Sequence, residues 1–531
     1  MTARVLKIKF LGLKADIEHE VLELKKARNG DWSKPIHRKR GGDRVRSLRR
    51  CSEGGGELTP ENASTEPEPM TVETFTADLP IAEPYHDYKE YVVRGEFDRM
   101  ALVEEIIRRH KLLTFADTGR TWIYHQELGY YEKNAEPLIK SYATVSLSVE
   151  ARKGWVEEVL YLVKQKTLAQ RETLEPPINL VNVENGILDI ETLELRPHSS
   201  DYFFTNRLPV KYDPEATAPK FRRFLTEIVI PEDSLTLQEF TGYFLYRSYK
   251  FQKAALLEGD GNNGKSTFVG VQKALLGPDN ITAIPLQNLG RRFTPARLYH
   301  KMANLYPDLS STALRDTGMF KQSTGGDMIE GEIKYSMNTL KFVSYCKHEY
   351  SANILPEIEE DNSKAFYRRW MIINFPNEFE GDNCDKNILA KITTPDELSG
   401  VLNWALEGLH RLRQNQGFTY SKTADEIQDQ YKRMSSSVYS YLVDNTEYHP
   451  DSWLPKDDLY AKYIEYCIDQ NLPRKSKGEF TKQLPKHMPA VIPKRKRVDN
   501  EGPYIHGWDG IRLLTPDEIQ EKKKKEQLTL D

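Results

Sequence analysis

Residues 256–268 read LLEGDGNNGKSTF, and what flanks this stretch decides its meaning. Leu256 and Leu257 close a short apolar run that reads as a buried strand, and FVGVQKALLG, 268–277, follows with helical spacing. Between them Gly259, Gly264, Lys265 and Ser266 fit G-x-x-x-x-G-K-[ST], in the strand–turn–helix setting a phosphate-binding loop requires. A loop poor in side chains lets the backbone N–H groups of Gly259, Asp260, Gly261, Asn262, Asn263 and Gly264 close around phosphate oxygens, with a helix N-terminus behind them. Lys265 adds a point charge for the β- and γ-phosphates, and Ser266, with Thr267 beside it, offers a hydroxyl to Mg²⁺. The expected ligand is a nucleoside triphosphate, ATP with Mg²⁺; the bland alternative is a Gly/Asn-rich surface turn.

The 531 residues leave room for roughly three or four domains. A net charge of −4 hides local imbalance and so does not exclude nucleic acid as a partner. Cys51, Cys346, Cys384 and Cys467 are scattered without a C-x-x-C pair, which argues against a zinc site or a disulfide framework and for a reducing compartment. No apolar run approaches a membrane span and no signal-peptide pattern opens the chain, so the expected location is the cytoplasm, the host's if the source is viral.

Residues 34–50 carry eight Lys/Arg and one Asp, whereas 53–90 carry ten Asp/Glu with many Pro and Thr. Such blocks bury too little apolar surface to offset chain entropy, so 1–95 is expected to be a largely disordered arm and linker. A small α+β domain is expected at 96–210, from the helical spacing of DRMALVEEIIRRHKLLTF, the hairpin pattern of TWIYHQELGYYEKN and the short strands of NLVNVENGILDIETLELRPHS. It shows no D-x-D with a distant His of the kind a primer-synthesising site needs. FRRFLTEI and LQEFTGYFLYRSY read as two amphipathic helices, and alternating strands and helices then run to about 395, giving an α/β core with a parallel sheet over 211–395. A helical extension is expected at 396–445. Helix, helix and basic hairpin over 450–515 follow the order of a winged helix-turn-helix, and 516–531 reads as a frayed charged tail.

Three stretches complete the expected nucleotide site. MANLYPDLSS, 302–311, is a short apolar strand ending in Asp308, where a carboxylate would hold Mg²⁺ and orient the attacking water. SANILPE places Asn353 at the end of a neighbouring strand, where an amide would bond the γ-phosphate or the water; a turn Asn before Pro356 is the alternative. FYRRWMIINF carries Arg368 and Arg369, either a surface pair or the source of an arginine finger.

Taken in this order, GDGNNGKST, the Asp308 strand, KQSTGGDMIEGEIKY, SANILPE, DNSKAFYRRWMIINF and the terminal winged helix resemble the superfamily 3 helicases of the phage/plasmid, poxvirus-like primase–helicase family, over about 100–515. The resemblance implies an AAA+-like ATPase forming a hexameric ring around DNA. It maps Lys265 and Ser266 (or Thr267) to the first motif, Asp308 to the second and Asn353 to the sensor. It prefers Arg369 for the finger, because Arg369 and Phe375 fit the family's R-x₅-F. It places Lys321 and Lys334 against DNA in the channel. Two departures stand out: Pro307 precedes a single acid at the second motif, and the first 95 residues are too short for a fused primase. Primer synthesis is therefore not expected of this chain unless a separate primase supplies it, beside a partner DNA polymerase.

The C-terminal unit adds nine Lys/Arg against Glu479 alone between Arg474 and Arg497. Lys477, Lys482 and Lys486 on the second helix, and Lys494, Arg495, Lys496 and Arg497 on the hairpin, are the expected DNA contacts. The leading expectation is a replicative helicase of a virus, plasmid or integrated element that moves on single-stranded or forked DNA. A DNA-binding loader ring switched by ATP, and a metabolic P-loop kinase, are the competing classes.

Overall fold

Five short strands, Ala254–Glu258 (β1), Ile281–Thr282 (β2), Ala303–Tyr306 (β3), Lys347–Ala352 (β4) and Trp370–Asn374 (β5), pair in the order 2-3-4-1-5, every neighbour parallel. A parallel sheet covered on both faces needs strands apolar on both sides, and β1 and β5 supply them. The central strand β4 is the exception: all six residues of KHEYSA are buried, Lys347, His348 and Glu349 among them. The structure is a computed structural model and describes residues 90–528 except 94–95, 117, 171–173, 260, 335–338, 359–362, 381–383 and 498–501. The arm expected at 1–95 lies almost wholly outside the described residues, as does Asp260.

Helices Pro219–Ile228 (α1) and Pro231–Leu245 (α2) precede β1, and Lys265–Leu276 (α3) follows it. The sequence reading of α2 as amphipathic needs correction: every residue from Thr236 to Leu245 is buried. The cause is Pro395–Gln414 (α4), which lies against it so closely that a Cβ on Gly242 would collide with the Ala405 carbonyl, and one on Gly408 with that of Gln238. The polar residues of α2 are buried because α4 satisfies them: Gln238 donates to the Trp404 carbonyl at 2.8 Å, and Glu239 accepts from Arg411 at 2.7 Å.

Three boundaries move from those expected. Helix α4, placed beyond the core by the sequence reading, is part of it through Val401, Leu402, Ala405, Leu409 and Leu412. The strands Leu180–Val183 and Gly186–Asp189, assigned to the preceding domain, lend Val181, Val183 and Leu188 to that same core. Ahead of them, helices Arg99–Arg109, Ala135–Leu147 and Lys153–Lys166 pack on a four-stranded sheet.

The C-terminal module begins at Ser437, not 450. Helix Ser437–Asn445 places Val438, Tyr441 and Leu442 among Leu459, Tyr463, Phe480, Leu484, Trp508 and Ile511, and the first strand, Thr446–Pro455, spans the expected boundary. Helices Lys456–Asp469 and Lys477–His487 follow, then the antiparallel pair Ile492–Arg497 and Tyr504–Leu513. The expected frayed tail is instead a helix, Pro516–Leu528, started by reciprocal Thr515–Glu518 bonds and an Arg512–Glu518 ion pair of 2.8 Å. Among the described residues no helix is long and apolar enough to cross a membrane.

Candidate functional site: a nucleotide cavity and its basic surroundings

The loop after β1 turns sharply into α3 because its glycines adopt backbone angles other residues avoid. Gly259 (φ +149°) could not carry a Cβ, which would strike the Asn263 side chain and lie 2.8 Å from the Phe375 carbonyl. Gly264 (φ +86°) caps α3, and a Cβ there would stand 2.5 Å from Ile228 Cγ2. Lys265 is 6% exposed, and its ammonium donates to the Gly259 carbonyl, so it spans the mouth of the loop. Asn262 and Asn263 tie the loop to the segment after β5: the Phe379 N–H donates to the Asn262 carbonyl at 2.8 Å and Asn263 Nδ2 to the Phe375 carbonyl at 3.4 Å.

The carboxyl ends of β1, β3 and β4 meet here, in the crevice where parallel sheets bind ligands. A cavity of about 670 Å³ is lined by Gly261, Asn262, Asn263, Gly264, Lys265, Ser266 and Thr267 on one side and by Pro307, Asp308, Ser351 and Asn353 on the other. Asp308 is held in place indirectly: Ser351 Oγ donates to the Pro307 carbonyl, and the Leu309 N–H to the Ser351 carbonyl at 2.8 Å. Ser266 and Asp308 are exposed oxygen donors on one cavity, a set that suits Mg²⁺, which takes one or two protein ligands and fills its shell with phosphate and water. Among the described residues no group of three His, Cys, Asp or Glu side chains is placed to hold a metal unaided.

Half of the lining was not foreseen. Phe224 and Glu227 from α1, and Phe379, Cys384, Asp385, Lys386, Ile388 and Leu389 from the segment after β5, close the cavity's other wall. Phe224, Phe379, Ile388 and Leu389 give it an apolar side suited to a base. Glu227 and Asp385 are further acids, each already engaged by a cation, Arg223 at 3.0 Å and Lys391 at 2.6 Å.

Arg369, expected as a finger that reaches a neighbouring subunit, does not line its own chain's cavity. It precedes β5 at the amino end of the sheet, a strand's length from the nucleotide loop, and is 6% exposed. Its guanidinium is engaged within its own chain, by Thr324 Oγ1 at 2.8 Å, the Lys321 carbonyl at 3.3 Å and the Ala365 carbonyl. Arg368 is the exposed member of the pair, donating to Gln252 Oε1 at 2.9 Å.

The bonds of Arg369 hold the helix Gly318–Gly325, which leads into an antiparallel hairpin, Met328–Glu332 with Thr339–Val343. Ser323 on the same helix bonds buried His348 of β4 at 2.9 Å, and burial pushes that imidazole down to about 3, so it is neutral. The two expected channel lysines separate here. Lys334 is exposed at the hairpin tip, whereas Lys321 lies half-buried on the helix.

The basic residues of the C-terminal module also separate. Lys494 and Lys496 share Asp509 at 2.7 and 3.0 Å, Lys477 pairs with Asp457, and Arg497 stacks over Tyr504 at 4.5 Å. Arg495 is exposed on the same strand. Lys482 and Lys486 face a cavity shared with the sheet-bearing core, whose Glu357 binds Lys475 at 2.9 Å and Gln483 at 3.0 Å. Glu357→Ala should therefore loosen the module, read as earlier proteolytic cleavage between 436 and 476; an unchanged cleavage pattern would show that Glu357 holds nothing there.

Comparisons with known proteins bear on this arrangement. Family models match at 101–230 (D5 N terminal like), 257–369 (a family of unknown function, DUF5906) and 435–509 (poxvirus D5 protein-like). The protein 121R of Invertebrate iridescent virus 3, named as a candidate helicase, is 21% identical over 335 residues, 55% of this chain and 35% of that protein. The chain thus spans about a third of that curated relative. Two apo structures of the NrS-1 C-terminal region, 11% and 13% identical, cover 78% of this chain and all of theirs, each with a TM-score of 0.41. D5 models thus match on both sides of the segment 257–369 that carries the glycine loop, Asp308 and Asn353, and over those stretches the chain is similar to the D5-like primase–helicase family.

Proposed function

We propose that the chain is an ATP-driven DNA helicase acting in the replication of a virus, plasmid or integrated element. The observation that carries the reading is the convergence of the glycine loop, Asp308 and Asn353 on one cavity at the carboxyl end of the sheet. On this reading the sheet and its helices are an AAA+-like P-loop core and the C-terminal module is a winged helix-turn-helix. Phosphates would lie on Gly259–Thr267, with Ser266 and Asp308 holding Mg²⁺, which neutralises charge on the β- and γ-oxygens when bound. Asp308 and Asn353 would orient the attacking water.

Arg368 would complete the site of a neighbouring subunit. It sits at the opposite end of the sheet from its own cavity, so it can serve only in trans, in a ring, with a hexamer expected. Strand β4 joins the two ends: Asn353 follows it at the nucleotide, and His348 on it meets the hairpin helix. Hydrolysis would then move the hairpin and with it Lys334, pulling single-stranded DNA by its phosphates without reading sequence. Lys265→Ala should abolish ATP hydrolysis with and without single-stranded DNA, measured as phosphate release, while DNA should raise the wild-type rate. Hydrolysis indifferent to DNA would overturn the motor reading, and stimulated hydrolysis without strand displacement would favour a loader.

A further inference from the structure

A second cavity, of about 700 Å³, opens at the amino end of the sheet, away from the nucleotide. Its walls come from five places: the α2–β1 loop with Arg247 and Lys250, the descending hairpin strand and its continuation with Lys341 and Tyr345, the segment around Glu175, the turn Leu298–His300, and Gly325 with Gly326. Three features favour a polyanion. Lys250 and Lys341 are exposed, and Arg247, its side chain 9% exposed, stands beside them. Among the described residues Glu175 is the one acid on the lining, 3.9 Å from Arg247 and 3.7 Å from His300. Arg247 spends Nη2 on the Pro176 and Pro177 carbonyls, and its buried Nε has no hydrogen-bond partner among the described residues. Tyr299 and Tyr345, both half-buried, add aromatic surface to the same wall.

Cations tracking a backbone beside rings that take bases are how single strands are held without sequence preference. Resting on the helicase reading, we propose that this cavity is a single-stranded DNA site at the base of the hairpin, with backbone phosphates held by Arg247, Lys250 and Lys341. The placement divides the grip. Lys341 rides on the hairpin, opposite Glu330 in its register, whereas Arg247 and Lys250 stand on the loop entering β1. A hairpin that moves would hand a phosphate from Lys341 to the fixed pair, or take it from them. Gly326 (φ +83°), with no atom within 4 Å of where a Cβ would stand, lines the same cavity without narrowing it.

The test is binding of a 5′-fluorescein oligothymidylate to the full chain, by anisotropy across a salt series. Lys250→Glu with Lys341→Glu should weaken binding at least tenfold and lower the salt slope by about two, one for each phosphate no longer neutralised. The Lys→Arg pair should restore both. If charge reversal prevents folding, judged by circular dichroism, the Lys→Gln pair should give the same loss at a smaller magnitude. Binding within twofold of wild type with an unchanged slope, while Lys334→Ala still weakens it, would overturn the cavity and leave the helicase reading standing. A wild-type chain with no affinity for the oligonucleotide would overturn both.

Discussion

Arg368→Ala should slow ATP hydrolysis by about 10³- to 10⁵-fold, the usual cost of losing an arginine finger, while the fold and nucleotide affinity stay near wild type. The neighbouring substitution should behave differently. Arg369 is buried among the Lys321 and Ala365 carbonyls and Thr324 Oγ1, so Arg369→Ala strands buried acceptors and opens a void, at about 3–5 kcal/mol. Its effect should appear first as a lower melting temperature. Mixing Arg368→Ala with Lys265→Ala subunits separates catalysis from stability: each lacks a different half of a shared site, so mixed rings should recover part of the wild-type rate. An Arg368→Ala protein as active as wild type would sink the assignment, and a mixture without recovery would sink the shared site.

Which arginine is buried could not be read from the sequence. The pair sits where the short helix Lys364–Tyr367 turns into β5, and one residue of phase at that junction exchanges inside for outside. The tight strand–turn–helix loop was legible because its geometry is local: glycines at the positions that adopt the required backbone angles. Asp308 and Asn353 were legible for a related reason, since each follows the end of a strand and the parallel sheet delivers both to one edge.

What stayed hidden depended on distant partners. Thr236, Gln238 and Glu239 made α2 look one-sided, yet Gln238 and Glu239 are satisfied from α4 and its following loop. The cavity wall at 384–389 has no apolar period to announce it, and only the chain's return over α3 brings it to the cavity. The basic bias of the C-terminal module was plain, but the acids that engage it, Asp457, Asp509 and Glu357, come from other elements.

The buried charges of β4 set the last expectation. Glu349 stands in the middle of the sheet, 1% exposed, with Oε2 accepting from Gln272 Nε2 of α3 at 2.9 Å and Oε1 without a hydrogen-bond partner among the described residues. Burial pushes its carboxyl up to about 8, against a smaller pull from the Gln272 bond and Lys273. The folded chain therefore holds this proton more tightly than the unfolded chain does. The resulting stability is full below about 4.5 and is lost as pH rises toward 8. His348, down to about 3 against an ordinary 6.5, works in the other direction: stability falls as pH drops below 6.5. Between about 4.5 and 6.5 the two slopes oppose and a plateau results. Above 6.5 Glu349 is opposed by Lys347 on the same strand, whose burial holds its ammonium well below the ordinary 10.5. The share of stability due to Lys347 rises with pH where that of Glu349 falls, each at about 1 kcal/mol per pH unit. Thermal melts between pH 6.5 and 8.5 should separate the two contributions. Glu349→Gln, which keeps a neutral group beside Gln272, should remove the falling contribution, so that its melting temperature rises relative to that of the wild type between pH 6.5 and 8.5. A melting temperature with the same pH dependence in variant and wild type would mean that Glu349 is already ionised in the folded chain, with a counter-charge close enough to hold it so.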